Sequence, residues 1–162
     1  MKTALIAATK RQLQYDPCTK VRDHFSPSLL FRYSLAYCEK NYDQVFVLCV
    51  GVGGLLHPDT LIEGIDTQIQ GHEVTYKYKK DWLRSVANDL KEHCPQESEI
   101  HFHTPKWYFQ LIKWLHLPNP ITFEPSIYTI VEPLKSMPIG KRLHFYKQDL
   151  GSVPAIKKEV SS

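Results

Sequence analysis

Apolar and polar positions fall into blocks along the chain, and the blocks differ in period. Thr3–Ala8 and Gln44–Val50 are short, nearly unbroken apolar runs. Runs of that length read as strands buried on both faces. Glu99–His103 is a third short strand, in which His101 and His103 share one face and Phe102 takes the other. Between these runs the period changes to that of a helix. Leu30, Phe31, Ser34, Tyr37 and Cys38 recur at helical spacing as far as Asn41, behind Ser26 as N-cap and Pro27 in the first turn. Val74, Tyr78, Trp82, Val86 and Leu90 recur every fourth residue, with Leu83 and Ala87 on the adjoining stripe. Lys77, Lys79, Lys80, Arg84, Asp89 and Lys91 cover the other face, and Pro95 ends this helix.

The same signals continue to the end of the chain. Thr104-Pro105 predicts a helix over residues 106–117 with Trp107, Leu111, Trp114 and Leu115 inward, broken by Pro118 and Pro120. Ile121–Phe123 and Tyr128–Val131 read as strands around Glu124-Pro125. A last helix runs from Ile139 through Leu143 and Tyr146 to Leu150, with Gly151 as its C-cap. Strand and helix alternate, which implies parallel strands joined by crossovers. The expected architecture is a three-layer α/β single domain with a mainly parallel sheet over residues 1–151, and a loose tail over residues 152–162.

Composition narrows the class without naming a reaction. The chain has 162 residues, of which 43% are hydrophobic and 23% charged, as in an ordinary globular domain. No run approaches the roughly 20 apolar residues that span a bilayer. The apolar stretch Ala4–Ala8 ends at Lys10-Arg11, too short for a secretory leader, so a cytoplasmic protein with no membrane partner is expected. The net charge of +3 permits nucleic-acid contact without arguing for it. Cys18, Cys38, Cys49 and Cys94 lack any close pairing and read as free thiols. The aromatic side chains suit an oligomer surface as well as a core.

Candidate chemistry gathers where parallel strands end. Ligands bind open α/β sheets at the carboxyl ends of the strands. Strand one ends at Thr9 and Lys10, a donor and a point charge for an anion. Strand two ends at Cys49 and the loop Gly51, Gly53, Gly54, whose backbone can come close to a phosphate or carboxylate. Strand three ends at His103 and Thr104. An imidazole there suits acid–base or donor work, and a helix start suits an anion. His101 with His103 gives two metal-ligand types with no third nearby, so neither a metal nor a cofactor is expected. Asp59, Glu63 and Asp66 follow the glycine loop at regular separations and suit sugar hydroxyls, a base edge or general-base work. Asp59, after Pro58, also reads as turn chemistry.

These residues carry a resemblance. The chain has Ser28-Leu-Leu-Phe31-Arg32, then Pro58-Asp59-Thr-Leu-Ile62-Glu63-Gly64-Ile65-Asp66, then Pro133-Leu134 with Ile139-Gly140 and Leu143. In that order they resemble the small bacterial and phage α/β domains called YaaA-like, over about Lys2 to Gln148. Where those domains read Leu-Ser-Ala-Lys-Tyr-Gly-Leu-Leu, this chain has Cys49 for the serine and Gly51, Val52 and Gly53 around the lost lysine and tyrosine. The resemblance implies a sheet loosely like that of uracil-DNA glycosylases. It adds Ser28 and Arg32 to a ligand-binding set of Thr9, Lys10, Cys49, Gly51, Gly53, Gly54, Asp59 and Thr104.

The expected function is binding of a nucleotide- or nucleoside-type small molecule in the crevice, by a non-catalytic sequestering protein. A second reading is an N-glycosidic bond hydrolase or base-exchange enzyme, with Glu63, Asp66 and His103 as catalytic groups. A third is a DNA-binding protein using Lys77, Lys79, Lys80, Lys141 and Arg142 on phosphates.

Overall fold

The computed structural model describes residues 1–9, 12–14, 16–50, 55–62, 76–105 and 128–151. Five strands form one mixed sheet: β1 (Lys2–Ala7), β2 (Gln44–Leu48), β3 (Leu55–Leu56), β4 (Glu99–His103) and β5 (Thr129–Val131). The spatial order is β3-β2-β1-β4-β5. The pairs β1–β2, β1–β4 and β4–β5 are parallel, as the alternation of elements implies. The edge pair β2–β3 is antiparallel and had no signal in the sequence pattern. A two-residue strand is too short to show a period.

Among the described residues there are four helices: α1 (Val21–His24), α2 (Leu29–Asn41), α3 (Tyr76–His93) and α4 (Ile139–Leu150). They pack on both faces of the sheet, and the strand period decides which side chains meet which helix. Leu5 pairs in register with Phe46 and Phe102, and this face packs against Trp82, Leu83, Val86 and Leu90 of α3. Ala4 and Ile6 point the other way with Val45 and Val47, against Phe31, Leu35 and Cys38 of α2. Ala4 pairs with His101, and Ile6 with His103. Both histidines therefore lie on the α2 side of the sheet.

Two boundaries differ from the sequence pattern, each for a local reason. Helix α2 starts after Ser28, not Ser26: the Ser26 hydroxyl donates to the Asp23 carbonyl, and the N–H groups of Ser26 and Ser28 close turns on the Asp23 and Phe25 carbonyls. Ser28 accepts from the Phe31 N–H at 3.2 Å and is the true N-cap. Strand β2 stops at Leu48 rather than Val50. The Cys49 carbonyl accepts from Trp82 Nε1 at 3.0 Å and the Val50 carbonyl from the Tyr78 hydroxyl at 2.7 Å. Donors from α3 thus take the two carbonyls that would have continued the ladder. Tyr78 itself is exposed, not inward.

The last helix runs as expected. Gly151 follows it at φ +72°, and its N–H donates to the Lys147 carbonyl at 2.9 Å. Cys38, Cys49 and Cys94 are buried and Cys18 is exposed, all as free thiols. No described helix is long and apolar enough to cross a membrane. The expected helix over residues 106–117, the strand over residues 121–123 and the tail over residues 152–162 lie outside the described residues.

Candidate functional site

The chain leaves β1 toward β2 on one side of the sheet, and β4 lies on the other side. The point where the order reverses opens a crevice at the carboxyl ends of the strands. A cavity of about 280 Å³ lies there. Its floor is Ala7, Ala8 and Thr9 from the end of β1, with His103 and Pro105 from the end of β4. One wall is Leu30, Phe31 and Ser34 of α2. The other is Leu134, Met137 and Pro138 before α4, then Ile139, Arg142 and Tyr146 on it. Arg142 and Tyr146 share a helix face because they are four residues apart. The size is at the low end for small-molecule sites.

Arg142 is held by backbone. Its Nε donates to the Met137 carbonyl at 2.9 Å, Nη1 to the Thr104 carbonyl at 2.9 Å and Nη2 to the Leu134 carbonyl at 3.4 Å. These bonds fix the guanidinium and tie α4 to the end of β4. None of these partners is a carboxylate, so among the described residues the positive charge is met by carbonyl dipoles.

His103 is 5% exposed and hydrogen-bonded through both ring nitrogens. Nδ1 lies 2.8 Å from the Tyr146 hydroxyl and Nε2 lies 2.8 Å from the Tyr42 hydroxyl. The Tyr42 hydroxyl also lies 2.9 Å from His101 Nδ1, and His101 Nε2 faces Glu99 Oε1 at 3.6 Å. Burial pushes the His103 pKa down to about 3, helped by His101 and Arg142. Burial lowers His101 too, opposed by Glu99, and raises the hydroxyls of Tyr42 and Tyr146 above their usual range. At neutral pH the chain Tyr146–His103–Tyr42–His101 is therefore uncharged, and Glu99 stands beyond hydrogen-bond distance of its far end, where His101 Nε2 has no hydrogen-bond partner among the described residues.

Residues 3–148 match the model of a family of unknown function, DUF6884. The chain belongs to that family. The DUF6884 match takes in every residue that lines the cavity. No curated protein and no solved structure matches the chain.

Within this DUF6884 member the expected site residues separate. Thr9 and His103 line the cavity. Thr104 lies between His103 and Pro105, is 1% exposed, and its hydroxyl has no partner among the described residues. Ser28 and Arg32 flank the α2 wall without lining the cavity: Ser28 is spent as the cap, and Arg32 Nε is buried with no partner among the described residues. Cys49 is buried on the α2 face of the sheet. Asp59 lies apart from the cavity. It receives Arg22 Nε at 2.7 Å, and Arg22 also bonds Glu39 at 3.0 Å. Arg22 and nearby Lys20 hold the Asp59 carboxyl below the usual range. Lys10, Gly51, Gly53, Gly54, Glu63 and Asp66 lie outside the described residues.

Arg142 and Tyr146 belong to the cavity and were not in the expected site. Their helix was legible, with Tyr146 inward, but no sequence signal says which strand α4 packs beside. Tyr42, which joins the two histidines, gave no signal at all.

Proposed function

We propose that this chain binds a nucleoside- or nucleotide-type ligand in the cavity between the ends of β1 and β4, as a sequestering protein. The observation that carries the reading is Arg142, a cation on the cavity wall whose hydrogen-bond partners among the described residues are carbonyl oxygens. A fixed guanidinium without a carboxylate suits an anionic group such as a phosphate. Phe31, Leu30 and Met137 offer apolar surface to a flat base, while the neutral Tyr146 hydroxyl, held by His103, supplies a hydrogen-bonding group.

The second reading is an N-glycosidic bond hydrolase or base-exchange enzyme. It requires a carboxylate at the sugar, a role for which Glu63 and Asp66 are the candidates. The described cavity wall supplies a cation and neutral groups, the partners that a bound anion needs. A DNA-binding role would rest on exposed Lys80 and Lys141, since Arg142 is tied into the cavity wall.

The test is a thermal-shift screen with nucleosides, nucleotides and short oligonucleotides, followed by mass spectrometry of the recovered ligand. A ligand at about 100 times its Kd adds roughly 2.7 kcal/mol. A shift with the ligand recovered intact supports sequestration, and a cleaved ligand establishes the hydrolase. Ala8→Phe, which fills the cavity floor, should remove the shift while the protein stays folded. A shift that survives Ala8→Phe would move the ligand elsewhere.

A further inference from the structure

We propose that Glu99 fixes the hydrogen-bond polarity of Tyr146 through Tyr42 and the two histidines, so that the cavity selects a ligand presenting an N–H donor, such as a base with an exocyclic amine. The polarity rests on geometry alone. The identity of the donor as a base amine rests on the nucleoside reading above.

A neutral imidazole has one N–H and one lone pair, and a phenol has one proton to donate. In a chain of such groups, fixing the direction of one link fixes every other. The link that decides is at Glu99. Its carboxylate only accepts, and it faces His101 Nε2 at 3.6 Å. Lys2 Nζ lies 4.0 Å from the other carboxylate oxygen. At 3.6 Å no hydrogen bond forms and the carboxylate acts through its charge, which favours the His101 proton on Nε2 over a lone pair there. His101 Nδ1 is then an acceptor and takes the Tyr42 proton at 2.9 Å. With its proton used, the Tyr42 oxygen accepts from His103 Nε2–H at 2.8 Å. His103 Nδ1 is left with its lone pair and takes the Tyr146 proton at 2.8 Å.

Tyr146 ends the chain on the cavity wall with its proton spent. Its oxygen has lone pairs left and nothing to donate. An amino group satisfies it. A carbonyl in the same place would bring two acceptors together in a water-poor site, which costs roughly tenfold to hundredfold in affinity. Glu99 is thus a positioning residue that acts across three side chains.

Two measurements test this on the full chain. Nitrogen-15 NMR of the histidine rings should show His101 and His103 both in the Nε2–H form. Glu99→Ala should mix the tautomers at both rings, whereas Tyr42→Phe should release His103 and leave His101 as it was. A wild-type His103 in the Nδ1–H form, or a His103 untouched by Glu99→Ala, would overturn the relay. Thermal shifts with cytidine against uridine, and adenosine against inosine, should favour the amine-bearing member of each pair. Tyr146→Phe should level the pairs. If that variant fails to fold, Glu99→Ala carries the comparison, because its side chain is 38% exposed. Equal shifts within the wild-type pairs would overturn the selection. Expected tautomers with no shift from any nucleoside would overturn the nucleoside reading and leave the polarity standing.

Discussion

Arg142 Nη1 donates to the Thr104 carbonyl at 2.9 Å, and this bond joins α4 to the carboxyl end of β4. The cavity exists because those two elements are held there. Removing the guanidinium takes that donor from the Thr104 and Met137 carbonyls, while the Leu134 carbonyl keeps the Met137 N–H at 3.0 Å.

Arg142→Met should therefore do two separable things. Loss of the three donors should lower stability by about 1–3 kcal/mol in denaturant titration. A nucleoside monophosphate and its nucleoside should then give equal thermal shifts, where the wild type prefers the phosphate. Arg142→Lys should recover little, because an ammonium cannot reach three carbonyls in one plane. Full stability and an unchanged phosphate preference in Arg142→Met would remove both roles.

Acid should weaken the fold through His103. Burial lowers its folded pKa to about 3, while the unfolded ring titrates near an ordinary value of about 6.5. The folded state binds fewer protons between those values. Its stability contribution is complete above pH ~6.5 and is lost as pH falls toward ~3, at up to about 1.4 kcal/mol per pH unit for one ring. His101 and His24, also lowered by burial, act in the same direction. Denaturant midpoints from pH 7 to 5 should fall, and His103→Phe should flatten the slope. A slope unchanged in that variant would assign the acid sensitivity to other groups.

Ile6 is fully buried in the layer between α2 and the sheet, beside Val47 and His103. Ile6→Ala should cost about 2–5 kcal/mol by chemical denaturation. Leu29, 43% exposed at the start of α2, is the contrast. Leu29→Ala should stay within about 0.5 kcal/mol of wild type.

Asp59 anchors a segment and does not line the cavity. Asp59→Asn should weaken the Arg22 bridge, and with side chains 31% and 45% exposed the cost should be at most about 1 kcal/mol. Nucleotide thermal shifts should keep their wild-type size. Loss of those shifts with full stability would return Asp59 to the binding set.

Much of the fold was legible because period reports burial. The strands at Lys2–Ala7 and Glu99–His103, the buried stripe of α3 and the limits of α4 follow from spacing and caps. Boundaries were less legible where side chains choose among partners. Ser26 and Ser28 are both N-cap residue types, and only the packed structure shows that Ser28 takes the Phe31 N–H.

The sequence by itself determined the alternation of strands and helices, the parallel crossovers and the shared face of His101 and His103, because these depend on neighbours within a few residues. The tertiary structure alone decided the strand order, the antiparallel edge at Leu55–Leu56 and the place of α4. It also decided the composition of the cavity. Arg142 meets Thr104 across 38 positions, and Tyr42 meets His103 across 61. A spacing rule reads contacts along one element, whereas these arise when separate elements pack, and their geometry depends on the whole core.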